Sequence, residues 1–502
     1  MNGGARPGCA NALTDPLTGR RAGVLLHVTS LPGSETSGTL GSDAYRFVDF
    51  LAAAGFSVWQ VLPLGPTDEY GSPYCVRSAS AGNPALLDST ALLELEALPS
   101  GMDFAAVRDA PEAAYESYLR SCNRTQYRQF VDFVRKQRSW LGPHAIYAAC
   151  SARFAAPWWE WPEGLRHPTA AAVRQVRATA RPELRATMFQ QYLFALQWDR
   201  LKRHANARGV QLFGDLPFYV DHNSVDVWWN QAWFELDGDG QPQHVAGVPP
   251  DYFSADGQLW GNPLYAVEAM ASSGFSWWLE RLATQLERFD MLRIDHFRAF
   301  ESYWAIPAGA STARDGSWRQ GFGARLLEAL QARYGRAALV AEDLGLITDE
   351  VRALRDRFGL PGMAVLQFAF DGSADNPHLP ANCGRRVVMY TGTHDNDTTV
   401  GWYSGLDQAT RDLVAETLRV AHIEVPETFI EAVYACDAQL AMIPMQDLLG
   451  LGREARMNTP GTLGNNWRWR FSWKQLDPGH AERALARAER HSRRVAADGP
   501  LV

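Results

Sequence analysis

Eight short apolar runs recur along this chain of 502 residues, with helical patterns between them. They occupy residues 23–28, 57–64, 210–216, 289–297, 338–344, 363–370, 386–390 and 440–445. Several runs are continuously apolar rather than alternating, which is typical of strands that are buried on both faces of a parallel sheet. Strands that alternate with helices favour the α/β class, and eight of them predict a (β/α)8 barrel, the TIM barrel.

The spacing of the runs predicts where this barrel carries insertions. The second and third runs are separated by 145 residues, whereas a crossover between parallel strands needs only about a dozen. We therefore predict an inserted helical subdomain at about 90–205. Turn signals predict an inserted loop region after the third strand, at about 220–275. Among these signals, Asp237-Gly238-Asp239-Gly240 is interpreted as a hairpin turn. Residues 1–20 are expected to form a loosely ordered leader and 21–502 a single barrel domain.

Charge and cysteine content exclude several classes of protein. A net charge of −8 argues against nucleic acid as the main partner, because phosphate binding requires a basic face. The six cysteines are far apart without a CxxC pair, so they predict neither a disulfide framework nor a zinc site. No apolar run could span a bilayer, and the first 20 residues lack the apolar core of a signal peptide. We expect a cytoplasmic protein without membrane association.

Three of the strand-like runs lead into an acidic residue: Asp295, Glu342 and Asp395. An unpaired charge buried in a strand is unfavourable by several kcal/mol, so these positions need an explanation. In a (β/α)8 barrel the carboxyl ends of the strands meet at the active-site face. Taken singly, each acid could be a helix cap or part of a surface salt bridge. Together they predict a site that cleaves or transfers a glycosidic bond, because two carboxyls about 5 Å apart support a retaining mechanism.

The neighbours of each acid indicate its role. Arg293 lies two residues before Asp295 on the same face of the strand and favours an ionised carboxylate, as a nucleophile requires. An apolar approach precedes Glu342 and predicts a raised pKa, which suits a general acid that later acts as a base. His394 lies beside Asp395, and the two could hold sugar hydroxyls.

Eighteen tryptophans are a high number for this length. Most are expected in the core. Clusters in loops allow a second interpretation, because sugar rings stack on flat aromatic faces. The candidates for such stacking are Trp158-Trp159-Glu160-Trp161, Trp228-Trp229 and Trp260.

Longer motifs extend these observations over nearly the whole chain after residue 21. They are 23–27 (GVLLH), 29–33 (TSLPG), 59–67 (WQVLPLGPT), 72–74 (SPY), 214–217 (GDLP), 246–254 (AGVPPDYFS), 258–263 (QLWGNP), 293–298 (RIDHFR), 342–345 (EDLG), 393–398 (THDNDT), 456–458 (RMN) and 460–462 (PGT). In this order they resemble the motifs of the 4-alpha-glucanotransferases, also called amylomaltases or disproportionating enzymes, a branch of the alpha-amylase clan.

The resemblance implies a role for each site residue. It makes Asp295 the nucleophile, Glu342 the acid/base and Asp395 the stabiliser of the transition state. It surrounds the sugar at the cleavage point with Tyr74, Asp215, Arg293 and His394. It also implies that a loop containing Tyr252, Phe253, Trp260 and Asn262 overhangs the groove, and that a second covering segment begins at Asn458.

The resemblance further implies the activity: transfer of a segment of an alpha-1,4-glucan to the 4-hydroxyl of glucose or of another glucan, through a covalent glycosyl-aspartate. Maltooligosaccharides are expected as substrates, with cyclisation of long glucans as an additional reaction. The chemistry requires no cofactor and no metal ion, and a monomer is expected. Two alternatives stay open at this point. One is an alpha-glucan hydrolase of the same clan, and the other is a glucan-binding protein without turnover.

Overall fold

The structure, a computed structural model, describes residues 17, 19–33, 37–250, 255–335, 337–462 and 464–495. Strands in these residues form two sheets. The strands are β1 (Arg21–Leu25), β2 (Val58–Gln60), β3 (Gln211–Leu216), β4 (His244–Val248), β5 (Gln258–Pro263), β6 (Met291–Ile294), β7 (Ser302–Pro307), β8 (Ser317–Gln320), β9 (Leu339–Ala341), β10 (Gly362–Val365), β11 (Val387–Tyr390) and β12 (Leu440–Pro444).

The helices of the same residues lie mainly around the first sheet and in the long segment before β3. They are α1 (Ser42–Ala53), α2 (Ser89–Leu93), α3 (Pro111–Ser121), α4 (Arg124–Lys136), α5 (Arg138–Phe154), α6 (Glu163–Arg166), α7 (Ala170–Thr179), α8 (Arg181–Ala207), α9 (Val225–Trp229), α10 (Val267–Ser272), α11 (Ser276–Arg288), α12 (Gly323–Tyr334), α13 (Asp349–Arg357), α14 (Thr399–Ser404), α15 (Gln408–Leu418), α16 (Glu427–Ala435), α17 (Met445–Leu448) and α18 (Pro478–Arg490).

The first sheet is the predicted (β/α)8 barrel. Its eight strands are parallel and follow the order β10-β11-β12-β1-β2-β3-β6-β9. The remaining gap, between β9 and β10, is bridged by a hydrogen bond of 2.8 Å from the Ala341 N–H to the carbonyl of Pro361, just before β10. Each of the eight apolar runs of the sequence therefore overlaps one barrel strand.

Side chains alternate between the inside and the outside of the barrel, since successive strand residues point to opposite faces. One buried cluster takes residues from all eight strands and fills the interior; it includes Val58, Phe213, Met291, Val340 and Val388. Gly23 on β1 leaves room for this filling, because a Cβ there would lie 2.5 Å from the sulfur of Met442. The outward residues pack against the helices in the largest buried cluster.

The same alternation makes the carboxyl end of the interior polar. A residue two positions after an interior-facing strand residue also faces the interior. These positions hold Gln60, Asp215, Arg293, Glu342 and Tyr390. The Tyr390 hydroxyl donates a 2.8 Å hydrogen bond to Gln60 Oε1, which satisfies two of these buried polar groups. The barrel thus changes from an apolar to a polar filling where its strands end.

The chain between β2 and β3 is helical, with α2 to α8 between residues 89 and 207. Over 220–275 the sequence predicted loops, whereas the structure has α9, β4, β5 and α10 there. With β7 and β8 from after β6, strands β4 and β5 form a four-stranded antiparallel sheet of order β5-β4-β7-β8. Its strands were missed because they are short and lie between turn signals. The Asp237–Gly240 stretch is the predicted hairpin turn, flanked by a bridge between Leu236 and Pro242.

The tryptophan clusters of the sequence are part of the core. Trp158, Trp161 and Trp228 are 0–1% exposed. The ring centroids of Trp161 and Trp228 are 5.4 Å apart. Trp159 stacks on His222 at 4.1 Å and is partly buried. The interpretation of these clusters as sugar-stacking surfaces is therefore wrong, because their rings are already covered by protein.

No helix in the described part of the chain is long and apolar enough to cross a membrane. The five cysteines within the described residues are free thiols: Cys75, Cys122, Cys150, Cys383 and Cys436.

Candidate active site

A buried ion pair forms the base of the site. Asp215 on β3 and Arg293 on β6 are directly opposite each other in the strand register. Arg293 Nη1 lies 2.9 Å and 2.8 Å from the two carboxylate oxygens of Asp215. Burial lowers the pKa of Arg293, but the carboxylates of Asp215 and Asp295 more than offset this and raise it well above its ordinary value. Arg293 is therefore a permanent positive charge in the site.

Asp295 follows the last residue of β6 and is also ion-paired with Arg293. Its Oδ1 lies 2.9 Å from Arg293 Nη1, and its backbone N–H donates to the carbonyl of Leu216 at the end of β3. The side chain is 27% exposed, compared with 0% for the Asp215 side chain. The two carboxylates that pair with Arg293 thus differ in solvent exposure: Asp215 is fully buried, while Asp295 is open to the cleft.

Glu342 follows β9, the strand next to β6. Burial is the main cause that raises its pKa to about 7, and the negative charge of Asp295 acts in the same direction. Arg293 and a 2.7 Å hydrogen bond from the backbone N–H of His296 to Oε2 oppose the shift. A carboxyl with this pKa exchanges its proton near neutral pH, as a group that acts as acid and then as base must do.

Asp395 lies in the loop after β11 and faces the cleft with 47% of its side chain exposed. Asn458 donates a 2.6 Å hydrogen bond to its Oδ1, and His394 Nε2 lies 3.4 Å from its Oδ2. Arg456 holds the backbone by donating to the Asp395 carbonyl at 2.6 Å. Desolvation in the cleft raises the pKa of Asp395, but His394 and Asn458 outweigh it and hold the pKa below the usual range. The Asp395 carboxylate is thus charged and fixed in position.

Tyr74 links the two halves of the site. Its hydroxyl donates a 2.8 Å hydrogen bond to Asp215 Oδ2 and lies 2.9 Å from His394 Nε2. Because the single phenolic proton goes to Asp215, Nε2 of His394 must be the donor toward Tyr74. Burial lowers the pKa of His394, yet Asp395 raises it above its ordinary value overall. The rings of Tyr74 and His394 stack at 5.3 Å and form a rigid wall.

The structure brings Trp260 to the same site, on β5. Its ring contacts that of His296 edge-on at a centroid distance of 4.8 Å and is 38% exposed. Asn262 is directed elsewhere: its amide donates to the carbonyl of Val220 at 3.0 Å and so anchors the strand. Tyr252 and Phe253 lie outside the described residues.

Two residues that the sequence did not single out also contribute. His296 adopts a left-handed backbone conformation with φ of 51°, and this turn points its N–H at Glu342. Trp467, with φ of 64°, lies 5.9 Å from the Tyr74 ring and 6.0 Å from the His394 ring. Non-glycine residues seldom adopt positive φ. Nothing in the sequence signals such a conformation, so these contacts emerge only with the fold.

A cavity of about 420 Å³ lies beside Trp467, on the side of Tyr74 and His394. Its lining includes His27, Thr29, Arg468 and Arg470. Trp467 thus borders both this cavity and the rings of Tyr74 and His394, and the polar and cationic groups of the cavity suit a hydroxyl-rich chain.

Comparison with known proteins gives consistent results. The sequence model of the 4-alpha-glucanotransferase family matches residues 26–476. A 4-alpha-glucanotransferase of Thermus thermophilus is 44% identical over 94% of this chain and 98% of its own length. A 4-alpha-glucanotransferase of Aquifex aeolicus is 43% identical over 90% of this chain and 95% of its own length. Among solved structures, the amylomaltase of Streptococcus agalactiae in complex with acarbose superimposes with a TM-score of 0.89 and 34% identity. The superposition covers 95% of this chain and 100% of the amylomaltase chain.

Proposed function

The chain belongs to the 4-alpha-glucanotransferase family, and we propose that Asp295, Glu342 and Asp395 carry out its transfer reaction by double displacement. Asp295 is the nucleophile, Glu342 the acid/base, and Asp395 holds the sugar whose bond is broken. The observation that carries this assignment is the contrast between two neighbouring carboxyls: Asp295 is ion-paired with Arg293 at 2.9 Å, while the pKa of Glu342 is raised to about 7.

In the first step, an Asp295 oxygen attacks the anomeric carbon, and the bond from that carbon to the leaving 4-oxygen breaks. Glu342 gives its proton to the leaving oxygen, so the first glucan fragment departs as an alcohol. In the second step, the 4-hydroxyl of an acceptor attacks the same carbon and breaks the bond to Asp295. Glu342 takes the acceptor's proton and returns to its starting state. The raised pKa of Glu342 suits both transfers, since it is close to working pH.

Asp395 and His394 serve the sugar at the cleavage point. The fixed Asp395 carboxylate beside His394 can accept hydrogen bonds from two neighbouring hydroxyls of one ring, and these bonds strengthen as positive charge develops in the transition state. Tyr74 adds a flat face beside them, and Arg293 with Asp215 keeps the nucleophile oriented.

We propose alpha-1,4-glucans and maltooligosaccharides as donors, and glucose or a second glucan as acceptor. The amylomaltase of Streptococcus agalactiae, which superimposes on this chain, was solved in complex with acarbose, and this supports a carbohydrate ligand. The donor chain continues from Tyr74 and Trp467 into the 420 Å³ cavity. Trp260 belongs to the acceptor side, and Asn262 supports it by anchoring β5 to the carbonyl of Val220. We further propose that the enzyme acts as a cytoplasmic monomer, on a barrel of residues 21–502 with its insertions at about 90–205 and 220–275.

The test is product analysis after incubation with maltotriose alone. Transfer predicts a ladder of longer maltodextrins together with glucose, and almost no increase in total reducing ends. Asp295→Asn is the matched control, because it keeps the size of the side chain but cannot form the glycosyl ester; its turnover should fall by about 10³-fold or more. If reducing ends grew as fast as bonds are cut, the enzyme would be a hydrolase. If Asp295→Asn kept its turnover, the nucleophile would be another group.

A further inference from the structure

Two of the eighteen tryptophans are exposed to solvent, Trp260 at 38% and Trp318 at 42%. An indole buries a large apolar area when it packs inside a protein, so leaving it open forgoes a sizeable stabilisation. Trp260 already has a place beside the catalytic carboxylates. Trp318, on β8 of the antiparallel sheet, is not accounted for by the reaction described above.

Both exposed rings rest on the segment that follows the nucleophile. Trp260 contacts His296 at 4.8 Å, and the guanidinium carbon of Arg298 lies 4.0 Å from the centroid of the Trp318 ring. His296 and Arg298 are the first and third residues after Asp295. Trp318 is thus separated from the catalytic segment by a single side chain.

Arg298 also connects Trp318 with the strand end that carries the acid/base. Its guanidinium donates a hydrogen bond to the carbonyl of Leu346, four residues after Glu342. Glu342 protonates the oxygen of the departing glucan in the proposed reaction, so that glucan and the acceptor that replaces it lie on this side. In that reaction, the contacts of Arg298 with Trp318 and with Leu346 put Trp318 toward the acceptor side.

The Trp318 ring is held in place without being covered. It is paired in register with Trp304 on β7, and the two rings meet edge-on at 5.2 Å. Trp304 is fixed in turn by a 2.8 Å hydrogen bond from its indole N–H to the carbonyl of Ala313. Arg298 backs one face of the Trp318 ring. No described residue accepts a hydrogen bond from the Trp318 indole N–H. A rigid ring with one open face and an available donor loses little entropy when a flat ligand stacks on it.

We propose that the open face of Trp318 binds a glucose unit of the acceptor glucan, farther from the carboxylates than Trp260. This subsite rests on the proposed function and extends it, because it makes the enzyme select acceptor length. The apolar C–H face of a glucose ring covers the indole, and its hydroxyls remain in water or accept from the indole N–H. A glucose acceptor does not reach Trp318, whereas an acceptor of several units contacts both tryptophans.

The experiment compares two labelled acceptors with maltotriose as the donor: radiolabelled glucose and a maltohexaose that carries a fluorescent group at its reducing end. The variants are Trp318→Ala and Trp318→Leu, the second of which keeps apolar contact with Trp304 but removes the flat ring. Losing one covered ring face should raise the ratio of KM for maltohexaose to KM for glucose about tenfold in both variants. Tyr127→Ala is the matched control, an aromatic ring 40% exposed on helix α4, and should leave the ratio as in the wild type.

The outcomes separate this inference from the proposed function. Transfer by the wild type to either acceptor upholds the proposed function, and a ratio changed only in the Trp318 variants upholds the subsite. An unchanged ratio in Trp318→Leu, with transfer intact, overturns the subsite alone. A wild type that only hydrolyses maltotriose overturns both.

Discussion

At the scale of single residues, the proton on Glu342 governs how the enzyme responds to pH. Burial and the nearby Asp295 charge raise the pKa of Glu342 to about 7. The first step needs this group protonated, so kcat/KM should fall on the alkaline side, about tenfold per pH unit above pH 7. Initial transfer rates from maltotriose between pH 5 and 9 measure this. A kcat/KM that stays constant to pH 9 would mean that Glu342 is not the acid.

The same proton also affects stability, with a definite sign. The folded state binds it more tightly than the unfolded chain, whose ordinary Glu pKa is 4.5. Unfolding free energy therefore decreases as pH rises from about 4.5 to 7. Glu342→Gln lacks this loss and should be more stable than the wild type by about 3 kcal/mol at pH 8, with no gain at pH 4. Urea unfolding at the two pH values provides the comparison.

Residue chemistry was largely predictable from local sequence. The guanidinium two positions before Asp295 and the apolar approach to Glu342 predicted the ion pair of Asp295 with Arg293 and the raised pKa of Glu342. The bonds from Tyr74 to Asp215 and from Asn458 to Asp395 join residues more than 60 positions apart. For these the resemblance to a known family supplied the residues, and the fold supplied the contacts.

At the scale of elements, the segment that follows the 3-10 turn Arg453–Ala455 holds the Asp395 carboxylate in position. Asn458 donates to the Asp395 carboxylate at 2.6 Å. Asn458→Ala removes a charge-assisted bond and should lower kcat about tenfold or more, because Asp395 loses its orientation in the transition state. Steady-state transfer kinetics test this. Thr462→Ala is the control on the same segment, since its hydroxyl bonds only to the segment itself, and a loss of equal size in that variant would contradict the assignment.

The tryptophan cluster before β3 provides a second test at this scale. Trp161 is 1% exposed, packs on Tyr147 and Trp228 at 5.4 Å, and donates its indole N–H to the carbonyl of Ala156. Trp161→Ala should lower the free energy of unfolding by about 3–5 kcal/mol, because it leaves a cavity. KM for maltotriose should remain within about twofold, since the ring does not face the cleft. A raised KM without loss of stability would restore the sugar-stacking interpretation.

Elements differed in how well sequence patterns predicted them. The barrel strands were recognised because apolar runs buried on both faces are conspicuous. Strands β4, β5, β7 and β8 were not, because they are short and expose residues such as Leu259 and Trp318. Between β10 and β11 the described residues contain no α-helix, only a short 3-10 turn at Leu366–Phe368, so the regular β–α alternation fails there.

At the scale of the whole molecule, the barrel closes where its first and last strands, β1 and β12, pair along five residues. Arg493, near the C-terminal end of the described chain, is 0% exposed at this junction. Its guanidinium donates to the carbonyls of Tyr434, Cys436 and Ala438, each at 2.8 Å, and to that of Arg21 at 3.1 Å. One side chain thus joins the segment before β12 to the start of β1.

Arg493→Met should lower the free energy of unfolding by about 3 kcal/mol or more, because several buried carbonyls lose their donor. Arg494→Met is the matched control. The Arg494 side chain is 53% exposed, and among the described residues its ion pair is with the exposed Glu489, so a change within about 0.5 kcal/mol is expected. Urea denaturation of the two variants makes the comparison, and equal losses would show that Arg493 does not hold the junction.

The barrel, its eight strands and the three acids that follow strands could be predicted from local sequence, because strands buried on both faces are apolar throughout and an unpaired buried charge is unfavourable. The fold was needed to show the positive φ that points His296 at Glu342 and the contact of Asn458 with Asp395. It was also needed to distinguish the exposed Trp318 from the buried Trp158 and Trp228. These depend on atoms that are distant in sequence and close in space. No local pattern of residues contains that information.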